Sequence, residues 1–183
     1  MEFRLVYQGR LPAASQSSHR TKEKQEIRTV LHPQLRQLWQ THPRLLSKWL
    51  NQHMMDHHVM KAQFGFRFLP LVCNYFDSVC ALDILFLRRD KPGDLIKGGG
   101  DIDNRVKVLL DALRVPQNHD ELAGASPGQN EDPFCCLLED DKLVTELHVT
   151  TDQLFTPLKE DEAQNDVHLI IHVRTIPLNS PTL

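Results

Sequence analysis

The sequence predicts one α/β (α+β) domain of two layers, a mixed β-sheet with helices packed against it. Three observations carry that expectation. Residues 2–8 alternate, with Phe3, Leu5 and Tyr7 on one face, the period of a half-buried strand. Val106, Leu109, Leu110 and Leu113 fall at i, i+3, i+4 and i+7, the stripe of an amphipathic helix. Runs rich in branched and aromatic residues lie on both sides of that helix, so strands surround it in the chain. With 183 residues, 40% of them hydrophobic, the chain is long enough for one core and is read as a single domain over 1–183.

After the first strand, residues 9–19 form a polar loop holding Pro12 and three serines. An extended helical region follows over about 21–60, broken near His42-Pro43 because proline disfavours helix in the residue before it. Residues 64–72 and 78–87 read as two strands. Residues 90–100 hold Pro92 and four glycines and read as a loop. A helix is predicted over 102–114, with Asp101 placed to cap it and Pro116 to end it. At about 100° per residue, Asp103, Lys107, Asp111 and Arg114 line one polar flank of that helix. The stretch 117–133 is a polar insertion, long for a compact domain, of the kind that is functional or mobile. Residues 134–138 and 142–150 are strands. An exposed acidic segment (151–165), a last strand (166–176) and a frayed tail complete the chain.

No apolar run approaches the roughly 18 residues of a membrane span. The opening Met1-Glu2-Phe3-Arg4-Leu5 lacks the build of a secretion signal. Cys73, Cys80, Cys135 and Cys136 show no CxxC spacing, so neither a zinc knuckle nor a disulfide framework is expected. The expected compartment is the cytoplasm. The net charge of −3 conceals an asymmetry: residues 1–97 hold 15 Lys and Arg against 8 Asp and Glu, and residues 98–183 hold 6 against 16. A basic half to grip phosphates and an acidic half to hold cations is one reading of that division; uneven but ordinary surface charge is the other.

The chemistry concentrates at Gly98-Gly99-Gly100-Asp101-Ile102-Asp103-Asn104-Arg105-Val106-Lys107 and, downstream, Glu139-Asp140-Asp141. Two carboxylates one residue apart at a helix mouth, a lysine one turn on and a second acidic cluster opening a strand combine hard oxygen ligands with a point charge for phosphate. An N-cap with acidic residues in the first turn explains one aspartate, and a second without strain. It explains neither the glycine triplet nor the later cluster. Convergent carboxylates holding Mg²⁺ or Mn²⁺ are what phosphodiester hydrolysis needs.

From Asp101 through Asn104 and Lys107 to Leu110-Asp111-Ala112-Leu113, and again at Glu139-Asp140-Asp141 before Leu143-Val144, the chain resembles RusA-type Holliday-junction resolvases. The match covers about residues 98–116 and 137–149. The resemblance implies a small dimeric α/β fold and Mg²⁺-dependent paired nicking of branched DNA. It implies Asp101, Asp103 and Asp141 as metal ligands and catalytic residues, with Asp140 as the alternate for Asp141, and Lys107 as the catalytic cation. It implies that Asn104 orients the aspartates' loop or touches the substrate backbone. Apart from the resemblance, Arg105 and the basic N-terminal residues Arg20, Lys22 and Lys24 could contact DNA phosphates, although such N-terminal charges are more often a solvated helix face. Asp111 matches the family's helix aspartate. The connection from 113 to 139 is much longer than the family's short turn.

Other readings are weaker. Trp39 and Trp49 could stack on bases, but tryptophans at this spacing are more often core. His53 and His57, with His58, invite a zinc reading that lacks a carboxylate beyond Asp56. Cys135-Cys136 reads as packing in a strand. A sugar-nucleotide transferase would need a glycine-rich strand–helix turn before the DxD, and a dehalogenase-type phosphatase a buried apolar strand; neither is present. The remaining competitor is a RusA-like module that binds nucleic acid or protein without cutting.

Overall fold

The computed structural model describes residues 1–11, 17–51, 59–89, 102–156 and 166–178, with side chains from Thr21 onward in the first helix. It is an α+β arrangement of three helices and seven strands among those residues. β1 (Glu2–Arg10), β4 (Ser78–Arg88), β6 (Val144–Gln153) and β7 (Asp166–Pro177) make a four-stranded sheet in the order β1-β7-β4-β6. β7 runs antiparallel to both neighbours, while β4 and β6 are parallel. β2 (Lys61–Gln63), β3 (Phe66–Val72) and β5 (Phe134–Leu138) form a second sheet, antiparallel then parallel. The strands therefore divide between two mixed sheets.

The inner face of the larger sheet follows from period-two alternation. Leu5 and Tyr7 of β1, Leu82, Ile84 and Phe86 of β4, and Val167, Leu169, Ile171 and Val173 of β7 are all buried. Against them lies α1 (Ser17–Thr41), whose Ile27, Leu31, Leu35 and Trp39 recur every four residues in the same core cluster. The helical break expected at His42-Pro43 is present. His42 is extended, its Nδ1 accepts the Arg44 N–H at 3.2 Å, and Pro43 opens α2 (Pro43–Leu50). A helix beginning at Ser17 shortens the loop expected over 9–19. At the end of β1, Gly9 has φ +151°, and a Cβ there would lie 2.8 Å from the Tyr7 hydroxyl oxygen.

A smaller aromatic cluster covers the second sheet. Phe66 and Phe68 stack at 5.2 Å, and Phe134 meets both edge-on at 5.7 Å, with Val115 and Leu122 closing over them. The strand expected from residue 64 starts at Phe66, because Phe64 (φ +54°) and Gly65 (φ +81°) form the turn from β2. The insertion 117–133 is anchored rather than loose. It contains a 3-10 turn, His119–Leu122, with Leu122 in the aromatic cluster. The Asn130 carbonyl is held by His32 and Arg36 at 3.0 and 2.6 Å, and Asp132 by Arg67 at 2.7 Å. β6 runs on to Gln153, with Thr151 and Gln153 half-buried, so the exposed acidic segment does not begin at 151.

The two edges of the larger sheet differ. At the middle of β1 the Gln34 amide occupies the outward backbone: its Oε1 accepts the Val6 N–H at 2.9 Å and its Nε2 donates to the Val6 carbonyl at 2.7 Å. β6 at the other edge is largely exposed on both faces. Among the described residues no helix is long and apolar enough to cross a membrane.

Candidate active site

The helix carrying the DxDN motif, α3 (Ile102–Leu113), buries Arg105, Val108, Leu109, Ala112 and Leu113. This face is rotated from the stripe expected from the sequence, and Val106 and Leu110 are only half-buried. The rotation has an identifiable cause. Arg105 lays its stem inward and donates from Nη1 to the Leu11 carbonyl, so a residue that counts as polar belongs to the core face. Arg105 is thus built into the domain and is not placed for DNA.

Asp103, Asn104 and Lys107 remain exposed on the outer side of α3. Asp103 Oδ1 accepts the Asn104 N–H at 2.6 Å, an acidic side chain at a helix N-terminus as the dipole favours. Lys107 has no side-chain partner among the described residues. Asp101 lies outside the described residues, as do the glycines at 98–100 and His53, His57 and His58.

The second acidic cluster separates into three roles. Glu139 Oε2 accepts the Asn74 backbone N–H at 2.8 Å and Oε1 pairs with Lys61 Nζ at 2.9 Å. Burial opposes its ionisation, yet these two partners hold its carboxyl below the usual range. Asp140 caps the 3-10 turn Asp141–Leu143, accepting the Lys142 N–H at 3.1 Å. Asp141 is exposed, with no side-chain partner among the described residues. That turn contacts α3, but Leu138 just before it bridges Arg114 at the helix C-terminus, whereas Asp103 lies at the N-terminal end by Arg105 and Leu11, so the structure does not bring Asp103 and Asp141 together. Among the described residues no three His, Cys, Asp or Glu side chains gather as a metal site. Of the expected ligand trio, Asp103 and Asp141 are described, both as open carboxylates of the hard-oxygen type that suits Mg²⁺ or Mn²⁺.

Behind this surface lies a charge network that the sequence did not reveal. Glu121 receives Arg28 Nη2 at 3.2 Å and Arg114 Nη1 and Nη2 at 3.2 and 3.1 Å. Arg114 Nη2 also reaches Asp111 Oδ1 at 2.9 Å, and Lys24 Nζ lies 2.7 Å from Asp111 Oδ2. Arg28 further donates to the carbonyls of Glu121 and Asp111 at 2.8 and 2.7 Å. Five charged groups from α1, α3 and the 117–133 insertion thus meet in the interior. Desolvation lowers the Arg28 pKa despite Glu121. Desolvation also acts against Arg114, but Glu121 and Asp111 prevail and raise it. For Asp111, burial acts upward and the Lys24 and Arg114 contacts outweigh it, holding the carboxyl below the usual range. Asp111 and Arg114, expected on an outward polar flank, therefore face inward.

The network also takes Lys24 out of the expected DNA-contacting set. Lys22 stays exposed, with a 3.9 Å contact to Glu26, and the Arg20 side chain is outside the described residues. Much of the basic N-terminal excess is engaged within the fold: Arg28 in the buried network, Arg36 on the Asn130 carbonyl and, at the surface, Lys48 over the Phe76 ring at 3.7 Å. Trp39 is wholly buried and Trp49 packs half-buried against the core, which accords with a packing role. All four cysteines are free and buried. Desolvation raises Cys80 to about 11 and Cys135 to about 12, so neither is a ready nucleophile. No family model, no curated protein and no solved structure matches this chain.

Proposed function

We propose that this chain is a divalent-metal-dependent endodeoxyribonuclease of the RusA-like type, cutting branched DNA such as four-way junctions as a homodimer. The observation that supports the reading is the division of labour on α3. Its buried face and C-terminal end are fixed by Arg105, Asp111 and Arg114, while Asp103, Asn104 and Lys107 stay open on its outer side. In this reading Asp103, with Asp101, holds Mg²⁺ or Mn²⁺, and Asp141, which the resemblance adds to the set, has to reach them from the turn at the other end of α3. Lys107 offers its ammonium to a phosphate oxygen, a role suited to a long cation with no side-chain partner among the described residues. Asn104 presents an amide to the sugar–phosphate backbone. A divalent ion held there would neutralise phosphate charge and lower the pKa of a water. Free thiols in all four described cysteines accord with a reducing cytoplasm.

The test is cleavage of a labelled four-way junction beside linear duplex, with Mg²⁺ and with EDTA, for the wild type and Asp103→Asn. Symmetric Mg²⁺-dependent nicks lost in the variant are expected. A second reading, a module that binds branched DNA without cutting it, draws on the lack of a gathered ligand trio among the described residues. Junction binding with no nicks in Mg²⁺ would establish that reading instead.

A further inference from the structure

We propose that two copies of this chain join through their β6 strands, antiparallel about a two-fold axis at Thr150, so that the two four-stranded sheets become one of eight strands. The proposal rests only on the homodimer part of the reading above and names the surface involved.

A strand at a sheet edge carries unpaired N–H and C=O groups, and proteins that stay monomeric usually blunt such edges with lysine, proline, a bulge or a cover. The β1 edge is blunted by Gln34 at its middle. β6 spans ten residues with neither lysine nor proline, and its one irregularity, between the partners of Cys80 and Ala81, lies at its start near Thr145. Among the described residues nothing hydrogen-bonds the outward backbone of residues 146–152. The strand is rich in Val and Thr, and it leaves Leu147 44% exposed.

The occupant follows from the order of side chains along the strand. In an antiparallel pair, directly opposed residues share a face, so a two-fold partner must match β6 positions of equal parity. Centring on Val149 would set Glu146 against the partner's Asp152, two carboxylates face to face. Centring on His148 would oppose two imidazoles, and centring on Leu147 would run the ladder into the irregularity at Thr145. Centring on Thr151 leaves no charged pair. Centring on Thr150 confines the ladder to the regular stretch 147–153 and sets His148 against the partner's Asp152 twice. Thr150 then meets its own copy on the axis. His148, whose Nδ1 lies 3.1 Å from Asp83 Oδ1 in its own chain, would turn its other ring nitrogen to the partner's Asp152, a polar pair, whereas like charges face to face oppose pairing. The strand is its own best complement in that register.

The test uses the intact chain. Because all four native cysteines are buried, Thr150→Cys adds one accessible thiol. At an antiparallel two-fold its Cβ would lie about 5 Å from its copy, within disulfide reach. Mild oxidation should link this variant into a covalent dimer, whereas His148→Cys, whose thiols would lie roughly 13 Å apart, should stay unlinked. Sedimentation should give the wild type twice the 21.1 kDa chain mass. Thr150→Lys should return a monomer with an unchanged circular dichroism spectrum. A wild-type dimer that neither links through position 150 nor dissociates in Thr150→Lys would overturn this interface and leave the homodimer reading standing. A monomeric wild type at the highest attainable concentration would overturn both. Junction cleavage by the wild type, scored separately, tells either result apart from failure of the nuclease reading.

Discussion

Replacing Glu121 by glutamine removes one negative charge from the buried network and changes almost nothing in shape. Glu121 is the shared acceptor of Arg28 and Arg114, each 3.2 Å or less from its carboxylate; without it Arg114 and Lys24 keep the Asp111 carboxylate, while Arg28 keeps only the carbonyls of residues 111 and 121. At an effective dielectric near 20, each close pair is worth about 4 kcal/mol before desolvation is deducted. Removing one partner of a buried ion pair typically costs about 3–5 kcal/mol, because the surviving charge keeps its desolvation and loses its compensation. We expect Glu121→Gln to fall in that range. With a urea m-value of about 2 kcal/mol/M, the unfolding midpoint should drop by roughly 1.5–2.5 M. Followed by circular dichroism, a drop below about 0.5 M would refute the reasoning and show the cluster to be well hydrated. The companion Arg28→Met, Glu121→Leu double variant should recover most of the loss, since an apolar pair of similar volume replaces the ion pair while Arg114 retains Asp111.

Stability against acid should depend on Asp111. Its folded pKa lies below the unfolded value, so its contribution is complete above about pH 4 and is lost as pH falls through the folded value. Asp111→Asn should lower stability at neutral pH and flatten the acid limb of a stability–pH curve; an unchanged limb would contradict the assignment. Within the acidic triplet, Asp141→Asn should abolish Mg²⁺-dependent junction nicking. Asp140→Asn should retain nicking and lose at most about 1 kcal/mol of stability as a weakened cap, so equal nicking losses in the two would merge their roles. The four thiols should resist a water-soluble disulfide reagent in the native protein and all react once urea unfolds it.

The parts of the fold that could be read from the sequence are those whose cause is local. Alternation in Phe3, Leu5 and Tyr7 reports a strand because one face is buried, and His42-Pro43 ends a helix because the proline ring is a steric fact of the chain. The rotation of α3 escaped because Arg105 is counted as polar by its charge, while its burial depends on the Leu11 carbonyl 94 residues away. The insertion 117–133 looked loose for a similar reason. Its composition is polar, but Glu121, Asn130 and Asp132 find partners on α1 and β3, 65 or more residues away, with Arg114 just after α3 as the near one. Phe64 resembled the start of a strand because an aromatic at positive φ has no sequence signature. At the candidate site, i, i+4 spacing alone puts Asp103 and Lys107 on one side of α3; that they face out is shown by the fold, which turns Asp111 and Arg114 of the same flank inward. The distinction among Glu139, Asp140 and Asp141 does not follow from spacing, because it is made by Lys61 and Asn74.

Gln34 is, in effect, one residue's worth of strand delivered sideways from a helix. Its consequence is a matter of counting. A sheet with a single joinable edge can form pairs and must stop there, since each union consumes the only free end. A sheet with two can propagate without limit. By occupying one N–H and one C=O on β1, a single amide leaves this sheet one joinable edge, so under the β6 pairing proposed above association stops at two copies, and removing the amide should open the second edge to further copies.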